Sequence, residues 1–228
     1  MYVRFECKMK ILNIDMDNTL IYSYKHDIGR EKINVELYNG REISYITKRT
    51  FELLNAEYMK NIRMDGTTAS TYIEEGTKQQ YERIFLGIGL IKYALVCNGG
   101  VLLVDGKVDE EWYKVSKNLI SNSVDELLKA VLYLESEELR KFEVRFIEEL
   151  FVFTKPEKVV CKLRYKLNLS LVDVFNNGIK VYVVPKNLDK GTAVKRFRAC
   201  LGDDVEKVVA TGDSEFDISM VECADEGI

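Results

Sequence analysis

The decapeptide Ile11-Leu-Asn-Ile-Asp15-Met-Asp17-Asn-Thr19-Leu20 constrains this chain more than any other segment. A short apolar run, Ile11 to Ile14, delivers two carboxylates to its end. A buried parallel strand reads as such a run. In open α/β sheets the ligand crevice lies at the carboxyl ends of the strands. Asp15 and Asp17 placed there repel each other unless a positive charge is shared between them, and a hard cation such as Mg²⁺ suits carboxylate oxygens. One strand end can therefore supply a nucleophile, an acid/base and a metal site.

The far end of the chain repeats the pattern. In Lys207-Val-Val-Ala-Thr-Gly212-Asp213-Ser-Glu-Phe-Asp217, an apolar strand around Val208–Ala210 runs into a glycine and two acids. Gly212 is expected to let the backbone turn sharply. Between these segments, Asp189-Lys190-Gly191 opens a helix with Ala193, Val194, Phe197 and Leu201 on one face and Gly202 as its stop. Lys190 can neutralise a phosphate or the acid cluster.

Asp15-Met-Asp17-Asn-Thr19, Lys190 and Gly212-Asp213-x-x-x-Asp217 together resemble motifs one, three and four of the haloacid dehalogenase superfamily. Most of its members are Mg²⁺-dependent phosphohydrolases. Order and spacing are similar to the branch with a cap inserted between motifs two and three, which includes sugar-phosphate phosphatases. Tyr93-Ala-Leu-Val-Cys-Asn98-Gly99-Gly100 looks like the strand of that branch that ends in Asn-Gly before a hairpin.

The resemblance implies an α/β fold: a Rossmann-like parallel-sheet core (1–112 and 186–228) with a smaller inserted α+β cap domain (113–185). It implies Asp15 as nucleophile and Asp17 as general acid and base, with Lys190 balancing phosphoryl charge. Asp15, Asp17 (through its carbonyl) and Asp213 would hold Mg²⁺, with Asp217 in support. Met16 (through its N–H), Thr19, Asn98 and Thr77 are the candidate phosphate or substrate contacts. The partner implied is a small phosphorylated metabolite, with sugar phosphates as one class, and its specificity would reside in the cap.

One segment departs from the family pattern. Motif two is a Ser or Thr at the end of the second core strand. Here the strand is expected to end near Ile73, with Lys78 to Phe85 helical, so Glu74 or Glu75 fills the hydroxyl's place. A carboxylate facing a phosphate dianion is repulsive. Either the glutamates turn away and Thr77 or Thr71 serves, or the chain is an impaired, metal- and phosphate-binding or regulatory relative. A phosphoacceptor receiver domain is a third reading, disfavoured by the large insert. The family also usually continues with a strand and helix after motif four. This sequence stops at Ile228, so truncation or a partner covering the sheet edge both stay open.

Composition narrows the rest. A net charge of −4 over 228 residues gives no nucleic-acid footprint. No apolar stretch approaches the roughly 20 residues of a membrane span, and the first residues carry no signal-peptide core. The five cysteines lack paired spacing and read as reduced thiols of a cytoplasmic protein. Oligomeric state is not legible. Asn39-Gly40 marks a hairpin, 48–60 a helix, and Ser123-Val-Asp-Glu126 a capping box opening another helix. Further strands are expected over Phe142–Phe153, Val159–Leu163 and Ile179–Val184. His26 is read as a surface residue and Trp112 as a packed anchor.

Overall fold

The computed structural model describes residues 9–63, 68–73, 78–87, 92–136, 142–155, 161–177 and 180–228. The chain divides into two compact units: Met1–Asp109 with Lys190–Ile228, and the continuous Glu110–Asp189. The sequence-based boundaries of 113 and 185 lie a few residues inside that division.

The first unit is built on a seven-stranded sheet. Its strands are β1 (Met9–Asp15), β5 (Thr68–Ile73), β6 (Tyr93–Val96), β7 (Val101–Val104), β8 (Lys107–Val108), β13 (Val205–Thr211) and β14 (Glu226–Gly227), in the order β14-β13-β1-β5-β6-β7-β8. β13, β1, β5 and β6 are mutually parallel. β1 thus lies between β13 and β5, with Ile14 level with Thr211 and Asp15 level with Ile73. Alternation along β1 places Ile11, Asn13 and Asp15 on one face and Leu12 and Ile14 on the other. Helices α5 (Lys190–Leu201) and α6 (Ile218–Cys223) belong to this unit, and Phe197 of α5 packs edge-on against Tyr93, 5.0 Å between centroids. Tyr93 shares a row of the sheet with Asn13, so α5 covers the Asp15 face.

On the opposite face, Ile14 and Met16 join Leu20, Ile21, Val35, Ile46 and Leu86 in one buried cluster. This cluster seats a second, three-stranded sheet of order β2-β4-β3: β2 (Tyr22–Ser23), β3 (Lys32–Tyr38) and β4 (Arg41–Thr47). Asn39 and Gly40 join β3 to β4 with φ of 50° and 73°, the left-handed pair a two-residue hairpin needs. Helix α1 (Lys48–Arg63) follows directly. Helix α2 is only Lys78–Tyr81, shorter than the expected 78–85. The chain leaves the helix because Ile84 bridges Glu36 and the Phe85 N–H donates to the Val35 carbonyl, which adds this segment to the edge of β3.

The second unit carries α3 (Glu110–Leu119), α4 (Val124–Ser136) and a four-stranded antiparallel sheet ordered β11-β12-β10-β9. Its strands are β9 (Arg145–Ile147), β10 (Phe151–Thr154), β11 (Val172–Asn177) and β12 (Lys180–Pro185). Val152, Val174 and Val183 align across one face and are buried, with Leu127, Ala130 and Leu134 of α4 among the same buried set. Cys161–Tyr165 is a 3-10 turn rather than the strand expected at 159–163, of which 159 and 160 fall outside the described residues.

The capping box does not form. The Ser123 hydroxyl donates to the Leu171 carbonyl, and Glu126 accepts from the Asn168 N–H and Lys129. Both side chains tie α4 to the loop before β11 instead of closing the helix end, which a preceding 3-10 turn, Ser121–Ser123, already shapes.

Candidate active site

Three elements converge at the carboxyl end of β1. Asp15 is its last residue, Lys190 is the first of α5, and Asp217 immediately precedes α6. All three are buried, with exposures of 3%, 0% and 1%. Lys190 Nζ lies 2.6 Å from Asp15 Oδ1 and 2.6 Å from Asp217 Oδ1. A fully buried ammonium is tolerable only when it is paired, and here two carboxylates share it.

Asp217 is fixed on its other side as well. Its Oδ2 accepts from the Ser214 N–H at 3.0 Å and from the Ser214 hydroxyl at 2.7 Å. Asp217 makes no side-chain cap on α6; its carboxylate turns inward instead. Gly212 matters through close approach rather than through an unusual φ. A Cβ there would sit 2.3 Å from Asp217 Cβ and 2.4 Å from its Cγ. Gly191 is held similarly, since a Cβ would meet the Ser219 carbonyl oxygen at 2.2 Å. The two glycines let the Lys190 and Asp217 turns close on each other.

Carboxylate oxygens of Asp15, Asp213 and Asp217 lie within 4.8 Å of one another. Burial pushes the Asp213 carboxyl up from its ordinary value, and the charges of Asp217 and then Asp17 push it further, with Lys190 opposing. One lysine therefore does not neutralise the acids around it. An all-oxygen, negatively overcharged set of this kind fits a hard divalent cation. Asp213 is the exposed member and offers its oxygens outward. Asp217 has both oxygens engaged by protein donors, which suits support from behind.

The remaining candidates fall in different places. The Asp17 carboxylate is outside the three-residue group and half-buried. It begins the turn after β1, closed by Asn18 N–H to Ile21 C=O and by Leu20 and Ile21 N–H to the Met16 carbonyl. Asn18 takes φ 67° there. The turn is thus tightened by backbone bonds; the Thr19 hydroxyl is buried without a hydrogen-bond partner among the described residues. The Met16 side chain is fully buried on the far face. Asn98 is buried in the left-handed turn Cys97–Gly99 after β6, at the same sheet edge as Asp15. Thr77, Glu74 and Glu75 lie outside the described residues; β5 ends at Ile73, as expected. His26 is exposed and Trp112 is buried in α3.

Sequence reasoning missed Ser214 as the clamp on Asp217; its spacing of three from an acid in a Gly-Asp-Ser turn was the available signal. It also read Ile11–Ile14 as uniformly apolar. Asn13 is fully buried on the Asp15 face, and neither amide atom is hydrogen-bonded among the described residues.

A parallel sheet with this acid–lysine cluster at its carboxyl edge and an α+β insert defines a class of α/β hydrolases. The chain matches the haloacid dehalogenase-like hydrolase family over residues 108–228 and belongs to it. It is similar to a phosphoglycolate phosphatase of Sulfurisphaera tokodaii, 28% identical over 163 residues, covering 68% of this chain and 62% of that protein. A phosphoglycolate phosphatase of Methanothrix thermoacetophila is 26% identical over 133 residues, covering 58% and 56%. The matches thus span less than two thirds of the length of either relative. In fold, the chain resembles the sucrose-phosphatase of Synechocystis solved with sucrose and phosphate, with a TM-score of 0.57 and 15% identity over 94% of this chain and 79% of that one. No helix among the described residues is long and apolar enough to cross a membrane.

Proposed function

We propose that this protein is a Mg²⁺-dependent phosphomonoester hydrolase of the cytoplasm. Its substrate is a small phosphorylated metabolite, with sugar phosphates as one class, and its route is an aspartyl-phosphate. The observation that carries the reading is the buried Asp15–Lys190–Asp217 cluster with Asp213 beside it. The names of the relatives, phosphoglycolate phosphatase and sucrose-phosphatase, favour a small phosphorylated substrate.

In this reading an Asp15 carboxylate oxygen attacks phosphorus, and the bond from phosphorus to the leaving oxygen breaks. Asp17 gives that oxygen a proton. Asp17 then takes a proton from water as the water attacks the phospho-aspartate, releasing phosphate and restoring Asp15. Lys190 orients Asp15 and offsets charge on the phosphoryl oxygens. Asp15, the Asp17 carbonyl and Asp213 would hold the metal, with Asp217 kept in place behind them by Ser214. When bound, Mg²⁺ supplies charge neutralisation at the phosphoryl group. The inserted unit, as a cap, would select the leaving group.

The test is phosphate release from an aryl phosphate, with and without Mg²⁺, by the native protein and Asp15→Asn. Release that requires both the metal and Asp15 is expected, with a loss of at least about 10³-fold in Asp15→Asn, comparable to losing a principal catalytic group. The acidic pair Glu74-Glu75 favours a second reading, a metal- and phosphate-binding relative without turnover. Mg²⁺ binding without release from any phosphomonoester, and release gained by Glu74→Thr or Glu75→Thr, would establish that reading instead.

A further inference from the structure

The three-stranded sheet that follows the Asp15 turn has a second face that the chemistry above does not use. Tyr22 pairs with Tyr45 and Ser23 with Ser44, and the Tyr24 N–H donates to the Ile43 carbonyl. Tyr38 pairs with Arg41. Paired residues of antiparallel strands project to the same side and successive residues alternate. Ser44 and Ile46 therefore point to the core, where both are buried. Tyr24, Tyr38, Arg41 and Ile43 share the outer side. Tyr24 is 59% exposed and Tyr38 51%. With Asn39 and Glu42 they line a cleft of about 580 Å³, within the range of small-molecule sites.

The walls of this cleft are braced from outside it. The Arg83 guanidinium lies 5.2 Å from the Tyr38 ring centroid. Arg83 is held by two contacts of 3.1 Å to Glu36 Oε1, and Glu36, itself buried, accepts from the Ser44 hydroxyl at 2.6 Å. Glu42 accepts from the Tyr45 hydroxyl at 3.0 Å, and Lys32 sits 4.2 Å over the Tyr45 ring. A partly buried ion pair of this kind adds little net stability but can fix geometry. Arg41 lines the cleft and is exposed.

We propose that this cleft binds a neutral sugar ring, apart from the reaction at Asp15. A sugar ring presents a C–H face and a rim of hydroxyls. The face packs on an exposed tyrosine ring, and the hydroxyls accept from Arg41, donate to Glu42 and do both with Asn39. The other ligand chemistries fit less well. A phosphate or carboxylate gains Arg41 but meets Glu42. An apolar ligand strands three polar side chains. Single-stranded nucleic acid needs a basic track along its backbone, whereas an acid forms part of this wall.

The test is an amide NMR titration of the whole chain with glucose, galactose, mannose and maltose as probes. At least one sugar shifts the amides of Tyr24, Tyr38 and Arg41 saturably. Tyr24→Ala and Arg41→Ala each weaken that binding by about tenfold, the range expected for one stacking or charged hydrogen-bonding contact. Both side chains are exposed, so neither change disturbs the fold. Asp15→Asn leaves the affinity unchanged, which separates this site from the proposed hydrolysis. The proposal is overturned if none of these sugars gives saturable shifts at the cleft, or if both cleft variants bind as well as the native chain. It is also overturned if Asp15→Asn abolishes the response.

Discussion

At the scale of single residues, Lys190 determines what the acid cluster can be. Its ammonium is wholly buried and pairs with Asp15 and Asp217 at the same distance. Removing one partner of a buried ion pair leaves uncompensated charge behind, which typically destabilises by about 3–5 kcal/mol. Lys190→Met is therefore expected to lower unfolding free energy by roughly that amount in metal-free buffer. Mg²⁺ should recover part of the loss, because a divalent ion between the carboxylates replaces the missing charge. Urea melts of both proteins with and without Mg²⁺ provide the check. A variant as stable as the native chain, or one indifferent to Mg²⁺, contradicts this account of the cluster. The pairing itself was legible, since an acid-rich strand end and a lysine opening a helix invite it. The role of Gly212 was not, because close approach depends on where Asp217 comes to lie in space.

At the scale of elements, periodicity and turn chemistry identified most pieces, while tertiary contacts decided their ends. The Asn39-Gly40 hairpin formed because both residues accept left-handed φ. The helix after Lys78 stopped early because its continuation bonds better to β3. The Ser123/Glu126 pair looked like a local cap and became a long-range tie to 168–171. Glu126 makes that tie testable. Lys129 above all, and then the Asn168 N–H, hold its carboxyl below the ordinary range against the effect of burial. A group whose folded pKa is depressed contributes stability above its unfolded pKa, about 4.3 for Glu, and loses it as pH falls through the folded value. Glu126→Gln should therefore lower stability at neutral pH by about 1 kcal/mol. The difference from the native chain should shrink as pH drops below about 4.3. Urea midpoints followed across that range by circular dichroism report it; a constant difference at all pH values rules out the charged tie.

At the scale of the whole molecule, the two units differ in how the chain builds them. The inserted unit is continuous, Glu110–Asp189, and holds its own core: Leu127, Ala130 and Leu134 on α4, and Val152, Val174, Val181 and Val183 on the sheet. The other unit is assembled from both ends of the sequence. Its strand β1 has β5 on one side and β13, from the distant end, on the other. This explains why the α/β class was readable from the family resemblance of two short acidic strand ends, whereas the division near 109 and 189 is marked by contacts and not by composition. It also sets different expectations for fragments. Residues 110–189 alone should fold, giving dispersed amide NMR signals and a cooperative melt, though with small stability for a domain of this size. Residues 1–109 alone lack β13, α5 and α6. That leaves β1 with an open edge and exposes the buried face carrying Asn13 and Asp15, an arrangement prone to aggregation. This fragment should stay unfolded or aggregate until residues 190–228 are supplied in trans. Well-dispersed, monomeric spectra from 1–109 alone would show that β13 is dispensable to the core and that the acid-bearing strand is stabilised by its sequence-near neighbours only.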